Sequence, residues 1–258
     1  AYFIAGTGRP GPVLIDIPKD IQTEKISMAE YNKLYEVPIH LEGYDPTYKG
    51  HQGQIKKAAT LIKNAKRPLI IAGAGVLKSG AMDELKELAE KAQIPVTNTL
   101  VGLGGFPGDH ELALGMVGMH GSVAANNSTD EVDLVIAAGI RFHDRITGHP
   151  DFFCKKAKII HIDIDPAEID KNVTINVPIV GDLKQVLTEL NALVEPTTHE
   201  AWLEQIREWQ AEYPMVIPES KNGVLHAQYV LSELNKIAKE DAIIVSDVGQ
   251  HQMWAAQF

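Results

Sequence analysis

The chain has 258 residues, 45% hydrophobic and 22% charged, an ordinary globular composition with enough apolar material for a sizeable core. Its formal net charge of −10 argues against nucleic acid and anionic membranes as partners, because the long-range field of an acidic protein repels both. The single cysteine, Cys154, excludes an internal disulfide and suits a reducing, cytoplasmic setting. No apolar run approaches the roughly 20 residues of a membrane span, and the opening AYFIAGTGRPG lacks the features of a signal peptide. With no initiator Met, and with an end at Phe258 directly after a motif-like run, the chain reads as a fragment of a longer one.

Residues 1–22 read as the tail of another unit. Val13, Leu14, Ile15 and Ile17 predict a short strand around Asp16, punctuated by Pro10, Pro12 and Pro18. Residues 23–50 contain Pro38, Gly43, Pro46 and Gly50 without a sustained apolar period and read as a linker. From His51 the pattern changes. Ile55, Ala58, Ala59, Ile62 and Ala65 recur at helical spacing. A strand at Leu69–Ala72 leads into Gly73, Ala74 and Gly75. Met82, Leu85, Leu88, Ala89 and Ala92 then mark a second helix. A short strand at Val96–Thr99 precedes a glycine-rich loop with Gly102, Gly104, Gly105 and Gly108. Met116, Met119, His120 and Gly121 read as another loop, followed by a helix opening at Val123.

Leu134 to Ala138 form an almost wholly apolar run, the pattern of a strand buried on both faces of a parallel sheet. Further strands are expected over Ile160–Ile164 and Val177–Val180, the latter ended by Gly181-Asp182. A helix with Val186, Leu187, Leu190, Leu193 and Val194 on its apolar face follows. Strands alternating with helices predict an α/β fold, with a doubly wound, mainly parallel sheet of five or six strands flanked by helices. Residues 196–222 read as a second connector carrying an amphipathic helix with Trp202, Ile206 and Trp209. A third unit begins near Gly223, with a helix through Val230, Leu231, Leu234 and Ile237 and a strand over Ala242–Val245.

The chemistry gathers at strand ends. In an open α/β sheet, ligands bind beyond the carboxyl ends of the strands. The strand ending at Gly139 empties into a loop with Arg141, His143, Asp144 and Arg145, a candidate anion or nucleotide site. The plainer alternative is a solvated loop with a local Arg–Asp pair. Gly73-Ala74-Gly75 follows a strand, but the next glycine is Gly80, so the spacing is not G-x-G-x-x-G. No acid ends the next strand at Thr97, Asn98 and Thr99. Asp163 and Asp165 share one face of their strand, where a carboxylate can accept from ribose hydroxyls or an adenine amino group. A metal pair with His161 ranks lower, and Asp165-Pro166 also suits a helix cap. Arg9, in the proline-stiffened Gly8-Arg9-Pro10-Gly11-Pro12 turn, is a candidate phosphate or carboxylate fork, against the plainer reading of an exposed turn arginine.

Five runs in register, GTGRPGPVLIDIPKD, LGMVGMHGS, GIRFHDRITG, IIHIDIDPAEI and SDVGQHQMWAAQF, together resemble the catalytic (large) subunit of acetohydroxyacid synthase, also called acetolactate synthase. That family comprises thiamine-diphosphate enzymes of three α/β domains. The resemblance implies the end of a pyrimidine-binding domain over residues 1–22 and a linker over 23–50. A central FAD-binding domain follows over 51–195, a linker over 196–222 and the start of a diphosphate-binding domain over 223–258. It further implies that Arg9, Gly73, Ala74, Gly75, Thr99, Leu100, Met119, His120, Gly121, Gly139, Arg141, Asp144, Arg145, Asp163, Ile164, Gly181 and Asp182 line a flavin site. Val248, Gly249, Gln250 and His251 match the run that contacts thiamine diphosphate. The sequence departs from the family pattern at Ile140 and His143, where small and acidic residues are commoner, and at Ala74, where a third glycine is commoner.

The implied reaction condenses pyruvate with a second 2-keto acid, pyruvate or 2-ketobutyrate, with loss of CO2, in branched-chain amino-acid biosynthesis. Thiamine diphosphate and Mg²⁺ would serve the chemistry, and FAD would take no net redox step. The resemblance also implies a homodimer or homotetramer and admits a small regulatory subunit. Because the family's ylid-forming glutamate and Mg²⁺ motif match nothing between Ala1 and Phe258, the fragment alone is expected to be inactive. The alternatives are a catabolic, FAD-independent acetolactate synthase, a pyruvate oxidase, and a sirtuin-like or deoxyhypusine-synthase-like dinucleotide module. Arg141 and Arg145 weigh against the first, and Gly249–Trp254 weighs against the second. The missing acid after Thr99 and the thiamine-type run at Val248 weigh against the third.

Overall fold

The computed structural model describes residues 1–34, 41–218, 223–239 and 242–258. Pro38 and residues 219–222 of the expected connectors fall outside them. Internal contacts divide the chain into two units, Ala1–Tyr48 and Lys49–Phe258.

Among its described residues the first unit holds three short helices, α1 (Tyr2–Gly6), α2 (Lys19–Gln22) and α3 (Met28–Lys33). After α1, Thr7 Oγ1 donates to the Phe3 carbonyl at 2.6 Å, and the Tyr44 hydroxyl donates to the Thr7 carbonyl at 3.1 Å. The Phe3 and Tyr44 rings meet edge-on at 5.9 Å. Helix α3, inside the expected linker, starts at a capping box. Glu30 N donates to Ser27 Oγ at 3.2 Å, and Ser27 N donates to the Glu30 carboxylate at 2.8 Å. The strand expected around Asp16 does not form. Leu14 and Ile15 are exposed in irregular backbone, and no strand among the described residues of this unit offers them a ladder.

In the second unit, α4 (Gln52–Asn64) leads to β1 (Pro68–Ala72). Two helices follow, α5 (Ala74–Ser79) and α6 (Met82–Ala92), then β2 (Val96–Asn98) and β3 (Ala113–Met116). Next come α7 (Val123–Glu131), β4 (Leu134–Ala138), α8 (Asp144–Thr147), β5 (Lys158–Asp163) and β6 (Val177–Val180). Four helices end the unit: α9 (Leu183–Leu193), α10 (Glu200–Glu212), α11 (Ala227–Ile237) and α12 (Gln250–Gln257). The six strands form one sheet in the order β3-β2-β1-β4-β5-β6, parallel throughout.

Both sheet faces are covered, which is why the strands read as apolar runs. Successive residues of β1 point to opposite sides. Ile70 and Ala72 join a core with α4, α6 and α9, while Leu69 and Ile71 join a core with Ala125 of α7 and Trp202 and Ile206 of α10. Trp202 anchors α10, its indole N–H donating to the Pro68 carbonyl at 2.9 Å. Each fully buried Leu or Ile side chain contributes about 1.5–3 kcal/mol.

Three elements differ from expectation. Strand β3 was not expected, and its last residue, Met116, lies in the expected loop. Only Leu114 and Met116 of its four residues are buried, and Gly115 breaks the run, so no apolar block announces this edge strand. Helix α5 begins directly at the Gly73 turn. The strand expected at Ala242–Val245 is irregular and exposed.

Candidate functional site

The sheet order places a topological switch point between β1 and β4. From β1 the chain passes to β2 and β3 on one side, then crosses to β4 on the other, which opens a crevice at the carboxyl ends of the central pair. Two glycine turns meet there. Gly73 N donates to the Ala138 carbonyl at 2.9 Å, and Gly75 N donates to the Gly139 carbonyl at 3.0 Å. A Cβ on Gly75 would stand 2.6 Å from Gly139 Cα, and one on Gly73 would stand 2.3 Å from the Gly139 oxygen. Gly139 itself takes φ +61°, a left-handed conformation that favours glycine. These residues are needed for backbone-to-backbone contact, the reading of a tight strand–helix turn.

The β2 end forms the next wall. Thr99 N donates to the Ala72 carbonyl at 2.9 Å, and Leu100 opens a single 3-10 turn. The Thr99 hydroxyl is buried without a hydrogen-bond partner. A buried hydroxyl without a partner costs on the order of 1–3 kcal/mol.

On the far side, the loop after β4 carries the cations. Arg141 is exposed, and its guanidinium makes no hydrogen bond or ion pair among the described residues. Arg145 is also exposed, and its guanidinium donates to the Met119 sulfur at 3.4 Å, a weak acceptor. Met119 N donates to the Arg145 carbonyl at 3.0 Å, so the Met119, His120 and Gly121 loop lies against this arginine. His143 caps α8 by accepting from Arg145 N at its Nδ1, 3.2 Å away. A carboxylate would do the same there, which gives a physical reason why an imidazole can stand at this position. Asp144, exposed at the first turn, faces His143 Nδ1 at 3.9 Å. The local Arg–Asp pair of the plainer reading is absent among the described ion pairs.

The β5 and β6 ends close the rim. Asp163 accepts from Asp165 N at 2.9 Å, and Gly181 N donates to the Asp163 carbonyl at 3.0 Å. Ile164 is half-buried beside them. Asp165 accepts from Ala167 N at 3.0 Å and Asp182 caps α9 through Gln185 N at 3.1 Å, so both serve as caps. His161 is fully buried, with Nε2 2.9 Å from the Ile140 carbonyl and its ring edge-on to Phe142. Burial pushes its pKa below the usual histidine value, so it is neutral and Nε2 is the donor. That bond pins the main chain between Gly139 and Arg141. Among the described residues no group of three or more His, Cys, Asp or Glu could hold a metal ion.

Gly73, Ala74, Gly75, Thr99, Leu100, Met119, His120, Gly121, Gly139, Arg141, Asp144, Arg145, Asp163, Ile164, Gly181 and Asp182 thus all sit on the strand-end side of one sheet. Arg9 belongs to the first unit, in the exposed bend after α1. The Val248, Gly249, Gln250 and His251 run forms the start of α12, with Val248 exposed. The opposite end of that helix reaches the rim, where Gln257 Nε2 donates to the His120 carbonyl at 2.9 Å. Sequence reasoning missed Asn126 and weighed His161 only as a metal ligand, whereas His161 bonds the Ile140 carbonyl. The fully apolar neighbours of His161 in β5 were the available signal for that role.

Residues 55–190 match the family described as thiamine pyrophosphate enzyme, central domain. The chain belongs to this family. As a thiamine pyrophosphate enzyme central domain it has close curated relatives. It is 51% identical over 267 residues to a probable acetolactate synthase large subunit of Methanocaldococcus jannaschii, a match spanning 100% of this chain and 45% of the relative. It is 44% identical over 262 residues to the acetolactate synthase large subunit of Buchnera aphidicola subsp. Schizaphis graminum, across 100% of this chain and 45% of that one. It is 46% identical over 264 residues to the acetolactate synthase of Mycobacterium bovis, across 100% of this chain and 42% of that one. The chain therefore spans less than half the length of these relatives.

The residues present fit an extended flavin nucleotide. The fit rests on the chemistry of the donor set: two exposed guanidinium groups can pair with a diphosphate, and the Thr99 hydroxyl is without a partner among the described residues. For thiamine diphosphate they supply one element, the start of α12, whose backbone N–H groups suit an anion.

Proposed function

We propose that the chain is the central, flavin-binding part of an acetolactate synthase large subunit. The intact protein joins pyruvate to pyruvate or 2-ketobutyrate with loss of CO2, in branched-chain amino-acid synthesis. The observation that carries this reading is the pair of exposed arginines, Arg141 without a partner among the described residues and Arg145 on a thioether, beside glycine turns at the switch point. Identities of 44–51% to acetolactate synthases support the enzyme class.

In this reading Arg141 and Arg145 hold the FAD diphosphate, Gly73, Gly75 and Gly139 pass it close to the main chain, and Asp163 faces the adenosine. Thr99 Oγ1 hydrogen-bonds the nucleotide, and the Met119–Gly121 loop walls the other side. Asp144 and Asp182 complete the rim. Thiamine diphosphate, held with Mg²⁺ and touched by Val248, Gly249, Gln250 and His251, supplies the electron sink for decarboxylation when bound. We assign residues 1–22 to a pyrimidine-binding domain, 51–195 to the central domain and 223–258 to a diphosphate-binding domain, joined by the linkers 23–50 and 196–222. A homodimer or homotetramer in the cytoplasm, with a small regulatory subunit, completes the proposal. The words "large subunit" in the relatives' names support the last, and no helix among the described residues is long and apolar enough to cross a membrane.

Titration with FAD, followed by flavin fluorescence, is expected to show saturable quenching. Arg141→Ala and Arg145→Ala should each weaken binding about tenfold, as expected for loss of a charge-assisted contact. No saturable binding by protein that melts cooperatively would overturn the flavin assignment and favour an FAD-independent acetolactate synthase.

A further inference from the structure

Asn126 lies in the second turn of α7 and reaches back eight residues to the main chain of a single residue. Its Oδ1 accepts from Gly118 N at 2.9 Å, and its Nδ2 donates to the Gly118 carbonyl at 3.0 Å. Both ends of the amide are used, so its orientation is dictated. Gly118 has φ +104°, and a Cβ there would lie 2.3 Å from the Arg145 carbonyl oxygen. The next residue continues the chain of contacts. Met119 N donates to the Arg145 carbonyl at 3.0 Å, and the Arg145 guanidinium donates to the Met119 sulfur at 3.4 Å. The helix behind Asn126 is a firm base, since Ser122 caps it through Ala125 N and Ala124 and Ala125 are buried.

We infer that Asn126 is a positioning residue for the arginine rim: by clamping both main-chain groups of Gly118 it holds Met119 against Arg145 and so sets where that guanidinium stands. The inference rests on the reading of the rim as an anion-binding site and deepens it. The role needs an acceptor and a donor on one planar group, spaced to meet the N–H and the C=O of one residue. Asparagine has both, aspartate offers only acceptors, and aliphatic residues offer neither. Because the link to Arg145 ends on a thioether, the guanidinium is restrained while its donors stay available to an anion.

The test compares wild type, Asn126→Asp, Asn126→Ala and, as a control one position along the same helix, Asn127→Ala. Hydrogen exchange is read in peptides covering residues 116–121 and 141–147, and FAD affinity is read by fluorescence. In Asn126→Asp a carboxylate oxygen faces the Gly118 carbonyl, and both peptides are expected to exchange about tenfold faster. FAD affinity should fall about tenfold, and Asn127→Ala should match wild type. Asn126→Ala gives the same readout if the aspartate variant fails to fold. Unchanged protection of residues 141–147 in a folded Asn126 variant would overturn the clamp, because a purely local role would loosen residues 116–121 alone. If wild type binds no FAD, the flavin reading falls by itself, and the exchange result still decides the clamp.

Discussion

His161 and His143 show how one residue type does different work according to burial. His143 is exposed and lends its Nδ1 to a helix start, a role any short acceptor could fill. His161 is fully enclosed and spends its one N–H on the Ile140 carbonyl, with Nδ1 unpartnered. Burial lowers its pKa, opposed by the Ile140 carbonyl and by the carboxylates of Asp163, Glu168 and Asp170. His199 is shifted the same way by burial. The sign follows from linkage. Below the ordinary value of 6.5 the unfolded chain takes up protons that the folded chain resists, so stability is fully present above that pH and is lost as the pH falls through it. The urea midpoint should therefore be lower at about pH 5.5 than at about pH 7.5, and the difference should shrink in His161→Gln. An equal difference in both proteins would show that His161 does not titrate in this way.

Among the elements, the paired turns after β1 and β4 are the least tolerant. Gly139 combines a left-handed backbone with a Cβ position that would lie 2.6 Å from Gly75 Cα, main chain that cannot swing aside. Gly139→Ala should cost about 3 kcal/mol, combining backbone strain with overpacking, measurable by urea unfolding. A loss below about 0.5 kcal/mol, the level of an ordinary surface change, would mean the two turns can separate. The glycines were legible in the sequence as a tight turn, and Gly139 as the end of a strand. That the two turns touch was not legible, because β1 and β4 are separated by two strands and three helices. The strand expected at Val13–Ile17 failed for a related reason. Its apolar residues suit a sheet, yet β structure needs a neighbouring ladder. Residues of β3 fell below notice for the opposite reason, since an edge strand half-open to solvent needs few apolar side chains.

At the scale of the whole molecule, a chain of net charge −10 concentrates two available guanidinium groups at one crevice. A ligand that binds only the folded state stabilises it by about 2.7 kcal/mol at a hundredfold excess over its Kd. FAD at that excess should raise the melting midpoint by several degrees, and riboflavin, which lacks the diphosphate, should give a much smaller rise. Equal shifts with both would remove the arginines from the account.

The sequence by itself determined the parallel α/β class, because strands covered on both faces must be apolar along their whole length, as in Leu134–Ala138 and Leu69–Ala72. It also determined the order of the motifs and the positions of the glycines, arginines and acids at strand ends, since these depend on local chain geometry. Only the tertiary structure decided which strand ends are neighbours, that α10 is anchored to β1 by Trp202, that Asn126 bonds the main chain of Gly118, and that His161 bonds the Ile140 carbonyl beside Arg141. Periodicity reports what surrounds a residue. It does not report which distant backbone group becomes its hydrogen-bond partner, and that choice is made only when the strands take their order in the sheet.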